Sequence, residues 1–523
     1  MRSNRYIACV SVALIALAAQ PKTCKWIGPQ NGSGLWSSTA NWENGNKPTN
    51  GDSIVFSSGA AATNDVGDVE VAGLDFNSSA GTVFEVGGSA KLSLSGGCGF
   101  NVGGSNTSLT FKCPVELMEG AHTSAVASLR FSGLVTGKGD IQFGGGSLYF
   151  GKNMPNYFGN IYATNAVVYP LNEAEYGSGA LGRSNEVHAS RISILKNGMQ
   201  TDQSCAVYMY NRDASKQTLM NYCGGVHFRG PTYFSAGVNF RITPHGAVFD
   251  GPVYFSQSMI LTLEGTYSMT CNAPIGLING ASNAEVYCDQ AGIVNFNSTG
   301  NTYTAANFYS RETVLSFNVS NAMARVDHAV TQGKGTIVVK GDQICKSICG
   351  NGGVVTSTVP ATITMKGDYG RSFAGKWMGG LTLCWSPTWA TSHTLSAAVE
   401  HTMSGKLISE KGTLNLTAGS SFPNLSGIEV ASGATIKVPA NVVFNADMER
   451  IDLGATATLD LATNENVTVA RLFVDGNRMG GAPDGSVKYG GADCAVPCCR
   501  LSQIKGGGTI TVLKPSGAVI YVF

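Results

Sequence analysis

Val226-His-Phe-Arg-Gly-Pro-Thr-Tyr-Phe234 is followed 21 residues later by Ala247-Val-Phe-Asp-Gly-Pro-Val-Tyr-Phe255. A weaker copy, Met269-Thr-Cys-Asn-Ala-Pro-Ile-Gly-Leu277, comes 22 residues after that, and Phe111-Lys-Cys-Pro-Val115 carries the same turn upstream. In each copy an apolar residue ends a short alternating run, a small residue permits a corner, and proline fixes φ for the bend. Proline lacks an amide donor, so it belongs at the corner and not within a strand. A second periodic stretch lies near the C-terminus. Ile428-Glu-Val430 is matched by Ile451-Asp-Leu453 and Ile436-Lys-Val438 by Leu459-Asp-Leu461, both 23 residues on. Val443 and Phe444 are followed by Val467 and Val469.

Constant offsets of this size mark stacked repeats. Three short strands per turn of about 20–23 residues predict an all-β, right-handed parallel β-helix. Each strand puts alternate side chains into a central core and hydrogen-bonds to the turns above and below. Period-2 patches such as Leu92-Ser-Leu94, Leu109-Thr-Phe111, Leu129-Arg-Phe131 and Ile141-Gln-Phe143 recur along the chain, punctuated by Gly, Ser or Asn. No helical stripe longer than two turns follows the first residues. A series of β-sandwich domains would also show short strands, but would not by itself produce a constant offset.

Composition agrees. The chain has 523 residues, of which 43% are hydrophobic, so a core can form and disorder is not expected. Only 13% are charged and 67 are glycine, the balance of short strands joined by tight turns. Net charge is +1 without basic or acidic blocks, which leaves no electrostatic case for nucleic acid or an anionic membrane.

Arg2 and Arg5, the apolar run Tyr6 to Leu17 and the small-residue site Ala16-Leu17-Ala18 read as a secretory leader. The run is too short for a typical membrane span, and no later segment is apolar for long enough to span as a helix. The expected organisation is a leader over 1–18, an N-terminal cap over 19–60, a solenoid over 61–475, and a C-terminal loop with final strands over 476–523.

An exported chain meets oxidising surroundings, so the 14 cysteines, 13 after removal of Cys9, admit disulfides. Cys98–Cys113, Cys205–Cys223 and Cys271–Cys288 are separated by gaps close to one turn, which makes them candidate bridges between neighbouring rungs. Buried free thiols account for them equally well. Cys345-x3-Cys349 and Cys494-x3-Cys498-Cys499 lack the spacing and the histidine pair of common zinc sites. No metal and no cofactor are expected.

Trp26, Trp36 and Trp42 crowd one window, in Lys25-Trp-Ile-Gly, Gly34-Leu-Trp-Ser and Ala40-Asn-Trp-Glu. A solenoid exposes core and unpaired edges at its ends, so this window reads as a cap. The competing reading is an aromatic platform for sugar, which makes these three residues the only candidate ligand contacts.

The same window resembles the N-terminus of exported bacterial proteins with autotransporter-associated β-strand repeats, passenger-like β-helices. The resemblance rests on Trp26, Trp36, Ala40-Asn41-Trp42, Pro48, Gly51-Asp52 and Phe56. Val71-Ala-Gly-Leu-Asp-Phe76, Lys91-Leu-Ser-Leu94, Leu472-Phe-Val-Asp-Gly476 and Gly507-Gly-Thr-Ile-Thr-Val512 extend it towards both ends. It implies a β-helix and says little about activity. The translocator barrel of true autotransporters is not recognisable; Tyr521-Val-Phe523 reads as a last rung.

No catalytic constellation is legible. Asp65 with Asp68, and Glu173 with Glu175, read as turn and loop chemistry, and the seven histidines are isolated. Glu400 and His401 are adjacent, so strand alternation puts them on opposite faces. The expectation is a secreted or cell-surface structural or adhesive protein, not an enzyme, with glycans, extracellular matrix or other surface proteins as partners. The alternatives are a carbohydrate-active lyase or hydrolase on a β-helix and a carbohydrate-binding surface protein.

Overall fold

The computed structural model describes residues 21–513 apart from short internal stretches, the longest of them 278–284. The expected leader, Glu173, Glu175, Cys223 and Tyr521–Phe523 lie outside the described residues.

The chain forms a β-solenoid of parallel stacked turns with no α-helix among the described residues. The quoted repeat shows how. Val226–Phe228, Thr232–Ser235 and Val238–Ile242 are the three strands of one turn; Ala247–Phe249, Val253–Phe255 and Met259–Leu263 are those of the next. Val226 lies opposite Ala247, Thr232 opposite Val253 and Asn239 opposite Ile260, all in parallel register. The 21-residue offset is thus one turn. The 23-residue offset is one too, because Ile428 lies opposite Ile451 and Ile436 opposite Leu459. One parallel ladder runs unbroken from Ser33–Leu35 to Ile504–Lys505.

Turn length varies more than the repeats imply. Thr336 lies opposite Val354 and Cys24 opposite Ile54, offsets of 18 and 30 residues. Corners absorb the difference, so the strands keep register while the connections change length.

Alternation sorts the side chains. In Val226–Phe228, Ala247–Phe249 and Val253–Phe255 the outer two residues are buried and the middle one is half-buried. Identical inward positions stack along the axis. Phe228 sits 5.0 Å from Phe249, Phe296 4.8 Å from Phe317 and Phe111 5.5 Å from Phe131, each pair nearly parallel. These centroid distances follow from the spacing of neighbouring strands. At the corner after this ladder, Asn297 donates to Asn272 Oδ1 and Asn318 to Asn297 Oδ1, both at 2.8 Å.

The Gly-Pro corner has a sharper cause than freedom to bend. A Cβ on Gly251 would stand 2.1 Å from Gly230 O of the turn before. Glycine is needed because successive corners touch backbone to backbone. Proline next to it supplies a carbonyl: Thr232 N donates to Pro252 O and Val253 N to Pro274 O.

The ends differ from the middle. Trp26, Trp36 and Trp42 are 2%, 0% and 1% exposed. Trp42 meets Trp26 edge-on at 5.0 Å and Trp36 at 5.8 Å, and its Nε1 donates to Trp36 O at 2.8 Å. At the other end, Asp475 and Gly476 take φ of 49° and 74° and reverse the chain. Asn477–Met479 then runs antiparallel to Arg471–Val474. Val443–Phe444 pairs with Ser421–Phe422, whereas Asn466–Val469 pairs with Thr509–Val512, so the two segments of the third C-terminal match do not lie side by side as neighbouring rungs.

Candidate functional site

Outward positions repeat as faithfully as inward ones. On the flank that carries Thr232–Ser235, Tyr162, His188, Tyr208, Tyr233 and Tyr254 lie opposite one another on successive strands, consecutive in register. Val207, Met209, Phe234, Val253 and Phe255 beside them are buried, which by period 2 fixes the tyrosines outward. Tyr208 and Tyr233 stack at 4.5 Å and 7°, Tyr233 and Tyr254 at 5.1 Å and 17°. Stacking covers the ring faces, and Tyr208, Tyr233 and Tyr254 are each half-buried, so part of every ring stays open to solvent.

Burial raises the Tyr233 hydroxyl's pKa, with Tyr254 and the Glu186 carboxylate adding to it. Burial raises Tyr162 as well, helped by the charges of Asp140 and Glu186. The phenols of Tyr162 and Tyr233 therefore stay protonated at neutral pH and keep an O–H donor. A polar relay runs alongside: Asn160 N donates to Asp140 Oδ1 at 2.8 Å, and Glu186 N donates to Asn160 Oδ1 at 3.1 Å. Beside the first tyrosine of the row, Tyr162, a shallow depression of about 430 Å³ is lined by Glu119, Lys138, Asp140, Phe158 and Asn160. Phe158 is 41% exposed there. Two carboxylates, an ammonium, an amide and an apolar ring edge face one surface that continues into the phenol row. Such a mixture suits a hydroxyl-rich ligand, whose hydroxyls need both acceptors and donors.

A second depression, about 530 Å³, includes Tyr309, Cys349, Asn351 and Arg371. Burial raises the Cys349 thiol's pKa more than Arg371 lowers it, so this cysteine is a protonated thiol and not an activated nucleophile.

The residues singled out in the sequence fall elsewhere. The three tryptophans are core, so they cannot form an exposed platform; an indole face covered by another indole has no room for a sugar ring. Asp65 accepts from Ser37 N, and Asp68 Oδ1 from Lys91 N, both at 2.8 Å, so both tie turns together. His401 is buried and Glu400 exposed, on opposite faces as alternation requires. Among the described residues no group of three or more His, Cys, Asp or Glu is placed to hold a metal ion.

The candidate bridges Cys98–Cys113 and Cys271–Cys288 are corrected. All four are buried free thiols. Gaps of 15 and 17 residues fall short of a turn and lead around a corner to another face. Cys98 O lies 3.2 Å from His122 Nδ1 of the following turn, and Cys113 O approaches Gly133. Cys271 stands opposite Phe249 and Phe296, and Cys288 opposite Leu261 and Ser310. Cys205 is a buried free thiol, while its candidate partner Cys223 lies outside the described residues.

The tyrosine row went unread, although the middle letter of Thr-Tyr-Phe and Val-Tyr-Phe in the deciding repeat already carried it. Comparison with known proteins finds no matching family model, no matching curated protein and no matching solved structure.

Proposed function

We propose that this chain is an exported, non-catalytic rod, held at a cell surface or released, that adheres to glycan through the tyrosine flank. The supporting observation is the in-register row Tyr208, Tyr233, Tyr254 beside the Asp140–Asn160–Glu186 relay. Donors repeating at the strand spacing form a linear array, which favours an extended polysaccharide lying along the rod axis over a compact sugar. The sequence leader supports export, and the Trp-rich window with the solenoid supports a passenger-like origin related to autotransporter repeats. No helix among the described residues is long and apolar enough to cross a membrane.

The test is retention on insoluble β-linked polysaccharides and extracellular-matrix preparations. Tyr233→Ala with Tyr254→Ala should weaken retention about tenfold, a change of about 1.4 kcal/mol. Thr270→Ala, on another face, should leave it unchanged. Equal retention of both variants would remove the flank from the proposal. A second reading is favoured by Glu119 and Asp140 lining one depression. Two carboxylates can serve as acid and base in glycoside cleavage. Release of reducing ends or unsaturated sugars in the same incubations would turn the assignment to a carbohydrate-active enzyme.

A further inference from the structure

The C-terminal end brings two cysteine sulfurs into direct contact. Val487–Gly490 runs antiparallel to Thr509–Val512 and parallel to Cys499–Arg500. Residues 491–498 are therefore the connection between two neighbouring strands. Within it Cys498 Sγ lies 3.0 Å from Cys494 Sγ. Arg500 pins the connection, its guanidinium donating to Gly491 O and, at 2.8 Å, to Cys494 O. Gly490 gives the sulfurs their room, since a Cβ there would come within 2.7 Å of Cys498 Sγ and 2.8 Å of Cys494 Sγ. Cys494 is 4% exposed, Cys498 half-buried and Cys499 exposed.

The two thiols are unequal. The hydrogen bond from Cys498 lowers the Cys494 thiol's pKa against the cost of burial, and the Arg500 charge adds to it. Burial raises Cys498, which carries the proton between them. Cys98, Cys113, Cys271, Cys345 and Cys384 are all pushed up to about 11 or 12 by burial and stay inert.

We propose that Cys494 and Cys498 form a redox pair that closes to a disulfide and locks the connection at the C-terminal end, leaving Cys499 as a free surface thiol. One of the two, as a thiolate, displaces one thiolate from a low-molecular-weight disulfide, forming a mixed disulfide. The other loses its proton to solvent and attacks the protein sulfur of that mixed disulfide, expelling the second small thiolate. Two protein thiols are oxidised to one disulfide, and the external disulfide is reduced to two thiols. Only a small movement is needed, because the sulfurs are already in contact.

The full chain, equilibrated with oxidised glutathione, alkylated and mapped by mass spectrometry, tests this. The expected map links Cys494 to Cys498 and shows Cys499 alkylated. Alkylation of both Cys494 and Cys498 under excess oxidant, or a bridge from Cys499 to either, would overturn it. The wild-type map needs no variant to fold.

Discussion

The two ends of this rod solve one problem by different chemistry. Any stack of parallel turns leaves an open core and an unpaired edge where it stops. At the N-terminal end the parallel ladders begin at once, with Thr23–Trp26 already paired to Asp52–Phe56, and three indoles fill the open core. At the C-terminal end the chain reverses. Two ladders still gain a parallel strand there, Ile504–Lys505 beside Thr458–Leu461 and Thr509–Val512 beside Asn466–Val469, but the Asp475-Gly476 turn sets Asn477–Met479 antiparallel on the third, and Val487–Gly490 covers Thr509–Val512 antiparallel. Bulk closes one end and strand polarity the other.

Removing bulk should do the most damage. Trp42→Ala deletes an indole that touches both others and leaves Trp36 O without its donor. Loss of about 3–5 kcal/mol is expected, read as faster hydrogen exchange confined to the first turns. Faster exchange at the C-terminal end instead would mean that the ends are not independent.

Acid should act on the two halves in separate windows. His393 and His401 are buried towards the C-terminal end, and burial holds both imidazoles down to about 4, with Lys376 adding to the effect at His401. The unfolded chain takes up these protons near 6.5 and the folded one only near 4. Stability therefore falls as pH drops below 6.5 and the loss is complete near 4, at about 3 kcal/mol per imidazole. His393→Leu should remove about half of it. At the N-terminal end, burial raises Asp52, but hydrogen bonds from Lys22 N, Thr49 N and Thr49 Oγ1 outweigh it and hold the carboxyl below its ordinary value. That contribution is present above the ordinary carboxylate range and fades only as pH falls through the depressed value. Equilibrium unfolding from pH 7 to 3, followed by exchange at each end, separates the windows.

Glycine gives the smallest and most diagnostic contrast. A Cβ on Gly34 would stand 2.6 Å from the Trp26 ring, so Gly34→Ala overpacks the N-terminal end by about 2 kcal/mol. A Cβ on Gly476 meets nothing within 4 Å, but φ of 74° is unfavourable to it, so Gly476→Ala costs about 1 kcal/mol through the backbone alone. Thermal melts of the two variants should rank in that order.

Much of the architecture was legible in sequence because its signals are local. Phe228 and Phe249, or Ile428 and Ile451, occupy equivalent places in repeats whose offset equals one turn, so inside, outside and stacking partner follow together. The thiols were not legible. Cys271 and Cys288 are 17 residues apart, near a turn in number, yet the chain rounds a corner between them and sets them on different ladders. Trp36 and Trp42 gave a correct density of aromatic bulk, but whether indoles face solvent or one another depends on contacts between strands.

By itself the sequence determined that the turns stack and which side chains enter the core, since period-2 alternation and a recurring corner act over a few residues. Only the tertiary structure decided which outward residues align into a phenol row, how each end closes, and which two sulfurs meet. Those outcomes depend on pairings that bring together residues as far apart in sequence as Cys24 and Ile54, or Leu459 and Ile504. The corners that set each offset vary in length, and a register so fixed cannot be read one strand at a time.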